Sequence, residues 1–430
     1  MTDLVRDAAQ SGIVIFHEEV ARDGAQGKTL LTGAQRSAIA KRQSAIFGPQ
    51  ACRQLVFNAG FPSIGKEEFE AVRLVIDEVD ECYVGAAGRA QRADADILLK
   101  AVKGARHGRI FIAVPVSTRM CETLLHMNPD ECLARALDVV RYILDRSDGA
   151  FVDVALADAT RADPGFVAEA SEALTNAGAS MIILCDTVGS LFPNEAGEFF
   201  RNLKSRTGDA VSFIAHMHND LGFGLVNTLE ALRAGIFGLT SSWLSLGERS
   251  GMPATEQLLF VLGHEPELLL RKLGVRDQIW FSQPNLRGIP PIARYVSQAT
   301  GVPLTTTTPI VGQGVNSIST GTPFTDPSVF QPFDPQAVLG IPRQVLLTPL
   351  ASSRVIAAVA QRLHLDLSPA ETEICLRWVK SEAYMRRVPL IDDEDFCFFV
   401  SNLRAAKRHD TTEPSFNMED VRRPHMVASQ

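Results

Sequence analysis

The sequence predicts an α/β fold: a closed (β/α)8 TIM barrel with a smaller, mostly helical C-terminal extension. Three observations predict it. Short β-branched apolar runs alternate with longer Ala-rich, charged stretches of helical spacing through roughly the first 260 residues. There are eight such strand–helix pairs, over a span typical of a closed barrel. Strands separated by single helices must pair in parallel, through right-handed crossovers. A doubly wound open sheet is the runner-up, but no GxGxxG follows the first strand.

Taken in order, the expected strands are Ile13–Phe16, Gln54–Phe57, Glu81–Val84, Ile110–Val114, Gly149–Val154, Met181–Cys185, Val211–Ala215 and Gly238–Trp243. Helical stretches between them include Thr32–Ile46, Lys66–Ile76, Pro129–Leu144, Pro164–Ala177, Asn194–Ser205 and Gly224–Ala234. Texture changes after about Gly274. Trp280–Pro291 is rich in Pro, Asn and Gly, Thr305–Thr308 is four threonines, and 309–335 carries Gly and Pro every few positions. Helical spacing returns at Arg354–Leu363, Pro369–Met385 and Asp393–Leu403. The expected organisation is a catalytic barrel at 1–275, an irregular linker or subdomain at 276–340, a helical subdomain at 341–405 and a flexible tail at 406–430.

Composition narrows the function classes. The chain has 42 basic and 50 acidic residues, a net charge of −8, and no basic stripe, which argues against a nucleic-acid partner. Nothing approaches the ~18 consecutive apolar residues of a membrane span. The N-terminus lacks the apolar core of a signal peptide. Seven scattered cysteines without a CxxC pair suit a reduced, cytoplasmic chain.

The strongest local signal for chemistry is Ala215-His216-Met217-His218-Asn219-Asp220, directly after the seventh strand. Residues i and i+2 of an extended chain point the same way, so both imidazoles can face one metal ion at the C-terminal rim, where barrel enzymes keep their active sites. Two solvated histidines at a strand end are the plain alternative. The second signal is Arg22-Asp23-Gly24-Ala25-Gln26, beyond the first strand. Strands 1 and 7 are near neighbours in a closed barrel, so Asp23 can complete a two-imidazole, one-carboxylate set with open positions for substrate. Arg22 then offers a fork of donors to a carboxylate or developing enolate oxygen. An ordinary polar loop is the alternative. Gly247-Glu248-Arg249-Ser250-Gly251, after strand 8, suggests a tight turn fixed by an ion pair, and Asp186-Thr187-Val188-Gly189 ends strand 6.

The ordered set RDGxQ, Gly60-Phe61-Pro62, Asp158-Ala159-Thr160-Arg161, DTVG with Pro193, HMHND, Gly222–Leu229 and GERSG resembles the metal-dependent barrel family of 2-isopropylmalate synthase and homocitrate synthase. The superfamily also includes hydroxymethylglutaryl-CoA lyase. The resemblance covers about residues 12–262 well, and continues weakly through Pro309-Ile310-Val311-Gly312 and Phe333-Asp334-Pro335. GERSG favours the synthase branch, since lyases carry a cysteine-bearing loop there and no cysteine lies between 186 and 374. The resemblance implies Asp23, His216 and His218 as ligands of a divalent ion (Mn, Mg, Zn or Co). It implies Arg22 as the polarising arginine, Gln26 as a catalytic polar residue, and Thr187 and Arg161 at the keto acid. The implied reaction joins acetyl-CoA, or another acyl-CoA, to a 2-oxo acid with thioester hydrolysis, in a homodimer.

The departures are as informative. Met252 stands where many synthases have Asn, Ala157 where a Glu is usual, and Asn58 where a Glu precedes GFP by two residues. Gly321-Thr322-Pro323 replaces a GIH, Phe330 a tyrosine, and Glu18-Glu19-Val20 a DTT. A base must still reach the thioester methyl group, and His17, Glu18 and Glu19 are the candidates. Strand alternation sets His17 and Glu19 on one side and Glu18 on the other. The first reading is therefore an acyl-CoA:2-oxo acid condensing enzyme, with members acting on oxaloacetate or phosphonopyruvate fitting the short chain. A lyase or aldolase, and a non-catalytic relative that keeps the metal and keto-acid site, are the rivals.

Overall fold

The computed structural model describes residues 2–275, 278–319 and 329–410. Eight parallel strands close on themselves: β1 (Ile15–Glu18), β2 (Leu55–Asn58), β3 (Tyr83–Arg89), β4 (Gly108–Pro115), β5 (Phe151–Ala157), β6 (Met181–Asp186), β7 (Phe213–Met217) and β8 (Gly238–Ser241). β8 pairs back onto β1, with Ile15 opposite Gly238 and Glu18 opposite Ser241. All eight expected strands are present, and most of them end further along the chain. β1 begins and ends two residues later than its apolar run. Strand limits follow pairing register, and a closed barrel shelters polar residues at strand ends: His17 and Glu18 are both fully buried. β3 runs through Gly85-Ala86-Ala87-Gly88, a weak strand by composition. The small residues are required, because a Cβ on Gly85 would lie 1.9 Å from the Phe111 ring inside the barrel.

The crossover helices carry sequence-encoded starts. Asn128 and Glu131 form a reciprocal capping box at Pro129–Leu144, and Thr32 with Gln35 does the same at Gly33–Phe47. Asp163 caps Pro164–Asn176. Inside the barrel, Ile15, Val56, Tyr83, Phe111, Met181, Ile183 and Ile214 form one apolar cluster.

A helix at Leu4–Gln10 closes the N-terminal end of the barrel, adding Val5 and Ala8 to that cluster. Asp3, at its N-cap, meets the fully buried Arg109 of β4 through two bonds of 2.7 and 2.8 Å. Arg109 makes two more, both 2.8 Å, to Asp153 of β5. The guanidinium is thus shared by two carboxylates that would otherwise be buried charges without a partner.

The chain divides into two compact units, Met1–Val315 and Asn316–Gln430. The stretch read as irregular, 276–340, spans that boundary. It holds a twelve-residue helix, Ile289–Thr300, with Pro290 and Pro291 in the first turn, where prolines lose no helical hydrogen bond. The second unit pairs Ser317–Ile318 with Gln344–Val345 and adds helices Ser353–Arg362, Pro369–Arg386 and Asp393–Asp410. Its own core holds Val355, Ile356, Val359, Cys375, Val379 and Phe396. The last helix continues past 405, where the tail was expected. Gly321-Thr322-Pro323 and residues 411–430 lie outside the described residues. Among the described residues, no helix is long and apolar enough to cross a membrane.

Candidate metal centre and active site

The C-terminal rim gathers residues from β1, β6, β7 and the loop after β8. Met217 is fully buried, and its neighbours His216 and His218 turn toward the pocket. Asp23 opens a four-residue helix that begins where the chain leaves β1, with its amide bonded to the Glu19 carbonyl at 2.8 Å. Its Oδ2 lies 3.7 Å from His216 Nε2 and 3.8 Å from His218 Nε2. These distances are too long for direct hydrogen bonds. They suit donors around one ion: ligand atoms ~2.1 Å from a shared tetrahedral centre lie ~3.4 Å apart. Among the described residues, these three form the group whose candidate ligand atoms all fall within 4.8 Å of one another.

The surroundings prepare the donors. His218 Nδ1 donates to the Asp186 carbonyl at 3.0 Å, which fixes the tautomer and leaves the Nε2 lone pair facing Asp23. That Nε2 is buried with no hydrogen-bond partner among the described residues, an orphan a metal ion would satisfy. Asp23 Oδ1 accepts from the Glu248 amide at 2.8 Å, so Oδ2 is presented to the histidines. Burial by itself would raise the Asp23 carboxyl, but Arg22 and the two imidazoles hold it well below the usual carboxylate range. Burial, with His218 and Arg22 nearby, keeps His216 neutral. For His218 burial works the same way, but Asp23 overrides it and the net shift is upward.

The GERSG loop is the clamp on Asp23. Gly251 has φ +85°, and a Cβ there would sit 1.7 Å from the Ser245 carbonyl oxygen, so only glycine closes this turn. Arg249 pairs with Asp220 at 2.8 and 2.9 Å and donates to the Thr187 carbonyl at 2.7 Å, tying together the loops after β6, β7 and β8. The expected ion pair in this motif thus reaches across loops, beyond the 3.2 Å contact between Arg249 and Glu248.

Beside the cluster, Arg22 Nε donates to Glu19 Oε2 at 2.7 Å and its Nη1 lies 3.0 Å from Asp23 Oδ2. Asn58 Nδ2 lies 3.2 Å from the same Glu19 oxygen. Burial raises the Glu19 carboxyl, and Arg22 and Asn58 only partly offset it. Gln26 and Thr187 line the same pocket. Thr187 Oγ1 accepts from the Asp158 amide at 2.8 Å, which leaves its own proton free to donate. Asn58, Glu248, Asp220 and Arg249 were not among the expected site residues. Motif position was the available signal: Asn58 replaces a family carboxylate, and the others sit in HMHND and GERSG.

Three expected residues lie elsewhere. Arg161 forks onto Asp158 at 2.7 and 2.9 Å and does not line the pocket, so it positions the loop that meets Thr187. His17 points into the barrel below the pocket, edge-on to Phe111 at 5.6 Å. Burial and then Arg109 push it down to about 3, so it is a neutral imidazole. Glu18 faces the opposite way, into the layer between barrel and helices. It accepts from the Val20 and Trp243 amides and from Thr255 Oγ1 at 2.7 Å. Burial pushes its carboxyl up to about 8. With a folded-state pKa above the unfolded one, Glu18 contributes stability that is complete in acid and is lost as pH rises from about 4.5 toward 8. Glu18→Gln mimics the protonated group. Its stability by urea denaturation should match the wild type near pH 4 and exceed it by roughly 4 kcal/mol near pH 9. A gap independent of pH would refute a protonated Glu18. The thiol of Cys185, also in the pocket wall, is pushed by burial up to about 12 and is no thiolate nucleophile.

An eight-stranded parallel barrel with a His-x-His strand end, a carboxylate after β1 and an arginine–glutamate pair defines a class of barrel proteins built around one rim site. A model of the HMGL-like family matches residues 14–283, and the chain belongs to that family. The 2-isopropylmalate synthase 1 of Caldanaerobacter subterraneus subsp. tengcongensis is 28% identical over 351 residues, covering 80% of this chain and 85% of that one. The 2-isopropylmalate synthase of Dictyoglomus turgidum is 30% identical over 354 residues, covering 81% and 67%. Among solved structures, the HMG-CoA lyase of Brucella melitensis superposes with a TM-score of 0.52 at 17% identity, covering 67% of this chain and 99% of that one. That likeness concerns the fold alone.

Proposed function

We propose that this chain is a condensing enzyme that joins the acetyl methyl carbon of acetyl-CoA to the keto carbon of a 2-oxo acid, after which water cleaves the thioester C–S bond and free CoA leaves as the thiol. The observation that carries the reading is the meeting, in one pocket, of the Asp23–His216–His218 cluster with the Glu19–Arg22 pair. The relatives named 2-isopropylmalate synthase, aligned over four-fifths of the chain, supply the reaction class.

Asp23, His216 and His218 would hold a divalent ion, which when bound supplies Lewis-acid polarisation of the keto carbonyl. Arg22 has N–H groups beyond those spent on Glu19 and Asp23, and directs them at the oxygen on which negative charge grows. The Thr187 hydroxyl donates to the substrate carboxylate. Glu19 takes the methyl proton of the thioester. Its burial favours the protonated product of that step, and Asn58 and Arg22 keep it aimed. Asp23 is committed to the cluster, and Glu248 is half-exposed and paired with Arg249, so Glu19 is the buried carboxylate placed to serve. It stands one strand over from the Glu that the family resemblance places at position 58.

Free-thiol release from acetyl-CoA with a panel of 2-oxo acids, with and without Mn²⁺, tests the reading. The expected result is metal-dependent release with at least one acid, and a fall of about 10²–10⁴-fold in kcat for Glu19→Gln with an unchanged melting temperature. Absence of release with every acid, in protein that demonstrably binds Mn²⁺, would overturn it. The proposal includes a homodimer, and a single-chain mass by light scattering would count against that part.

A further inference from the structure

Across the barrel from the metal cluster, the pocket wall has an unusual composition. The cluster and its arginine come from β1, β7 and the loops beside them, whereas β3, β4 and β5 stand opposite in the closed strand order. On those three strands the residues that line the cavity are Ala87 and Gly88, then Phe111, Ile112 and Ala113, then Ala155 and Ala157, four of the seven being alanines. Register makes them one surface. Ala113 pairs directly with Ala155, Ala157 sits one pleat higher, and Ala87 pairs with Phe111 beneath. Phe111, Phe61 and Ile183 close the edges of this wall. The whole pocket, metal cluster included, measures about 180 Å³, against ~150 Å³ for an apolar cavity that holds benzene.

Charge is as informative as size. Among the described residues that line the pocket, Arg22 is the single Lys or Arg, and it is already held by Glu19 and Asp23. The other charged side chains, Glu19, Asp23 and Glu248, are acidic. A 2-oxo diacid bound by its keto-acid end at the cluster would drive its second carboxylate onto alanine methyl groups, with no cation to receive it and three acids nearby. A carboxylate desolvated in that way is strongly disfavoured.

Resting on the condensing reading above, we infer that the 2-oxo acid carries a bulky apolar side chain of four or more carbons, branched or aryl, and that Ala113, Ala155 and Ala157 set its size. The same wall disfavours oxaloacetate and 2-oxoglutarate, so this inference departs from the oxaloacetate- or phosphonopyruvate-type substrate considered from the sequence.

The test compares kcat/KM for CoA release, with Mn²⁺, across 4-methyl-2-oxopentanoate, phenylpyruvate, pyruvate, oxaloacetate and 2-oxoglutarate, and repeats it in Ala155→Leu. One of the first two acids should exceed the last three by about 100-fold or more. Ala155→Leu should lower kcat/KM for the bulky acid by about 10–100-fold, mainly through KM, and leave pyruvate unchanged or improved. Ala113→Leu, at a position exposed to the cavity, replaces it if Ala155→Leu lowers the melting temperature. A diacid or pyruvate as best substrate, or a size preference untouched by both leucines, would overturn the inference. Calorimetric titration of the same acids into Mn²⁺-loaded protein separates the two claims. The same order of affinities without any CoA release would sink the condensing reading and keep the apolar wall. Tightest binding of a diacid would sink the wall even in an active enzyme.

Discussion

His218→Ala is expected to remove stoichiometric Mn²⁺ binding and at least about 10³-fold of CoA-releasing turnover, while the barrel stays folded. Changes that only reorient a metal ligand already cost 10–100-fold in metal affinity, and this one deletes a ligand. Outside the cluster the side chain's hydrogen bond is from Nδ1 to the Asp186 carbonyl, worth about 1 kcal/mol. In a barrel of this size that is a shift of a few degrees in melting temperature. Metal analysis after gel filtration and a thermal melt check both halves. Full metal content in the variant would move the metal site away from the β7 end. A collapsed melt would show that the histidine pair holds the rim together by itself.

The second large effect lies at the other end of the barrel and concerns stability. Arg109→Met should cost about 3–5 kcal/mol in urea denaturation at pH 7, because it strands two buried carboxylates, Asp3 and Asp153. Without the guanidinium both carboxyls would titrate above their unfolded values. The deficit should therefore shrink as pH falls toward 4, where the stranded groups take up protons. Replacing all three residues (Asp3→Leu, Arg109→Met, Asp153→Leu) should recover most of the loss, since apolar replacement of a whole buried ion cluster is often neutral. A cost under 1 kcal/mol for Arg109→Met alone would mean that water reaches these carboxylates.

Much of the site was legible along the chain. His216 and His218 were separated by one residue at a strand end, and the two-residue period of an extended chain fixes their common direction. Asp23 and Arg22 were legible because they follow β1, and barrel closure brings the ends of β1 and β7 to within one strand of each other. Glu19 was legible as one of three possible bases. Choosing among them was not possible, because both faces of β1 end in polar residues. Asn58 looked like a lost carboxylate. In the folded protein it is the hydrogen-bond donor that steadies Glu19, supplied from the neighbouring strand. Arg161 looked like a substrate ligand because it sits beside Asp158 in a family motif, and the left-handed turn at Asp158 directs its fork back onto that carboxylate.

The sequence by itself determined the barrel, since local periodicity and the chirality of parallel crossovers leave almost no other closed arrangement of eight βα units. It also determined which residue types gather at the rim, through their places at strand ends. Only the tertiary structure decided which face of β1 is inside: Glu19 and His17 inward, Glu18 out against Thr255 and Trp243. Only it brought Asp3 to Arg109 and assembled alanines from three strands into one wall. The physical reason is common to all three. A strand's pleat reads the same whichever way it is turned, and its register is set by partners far along the chain.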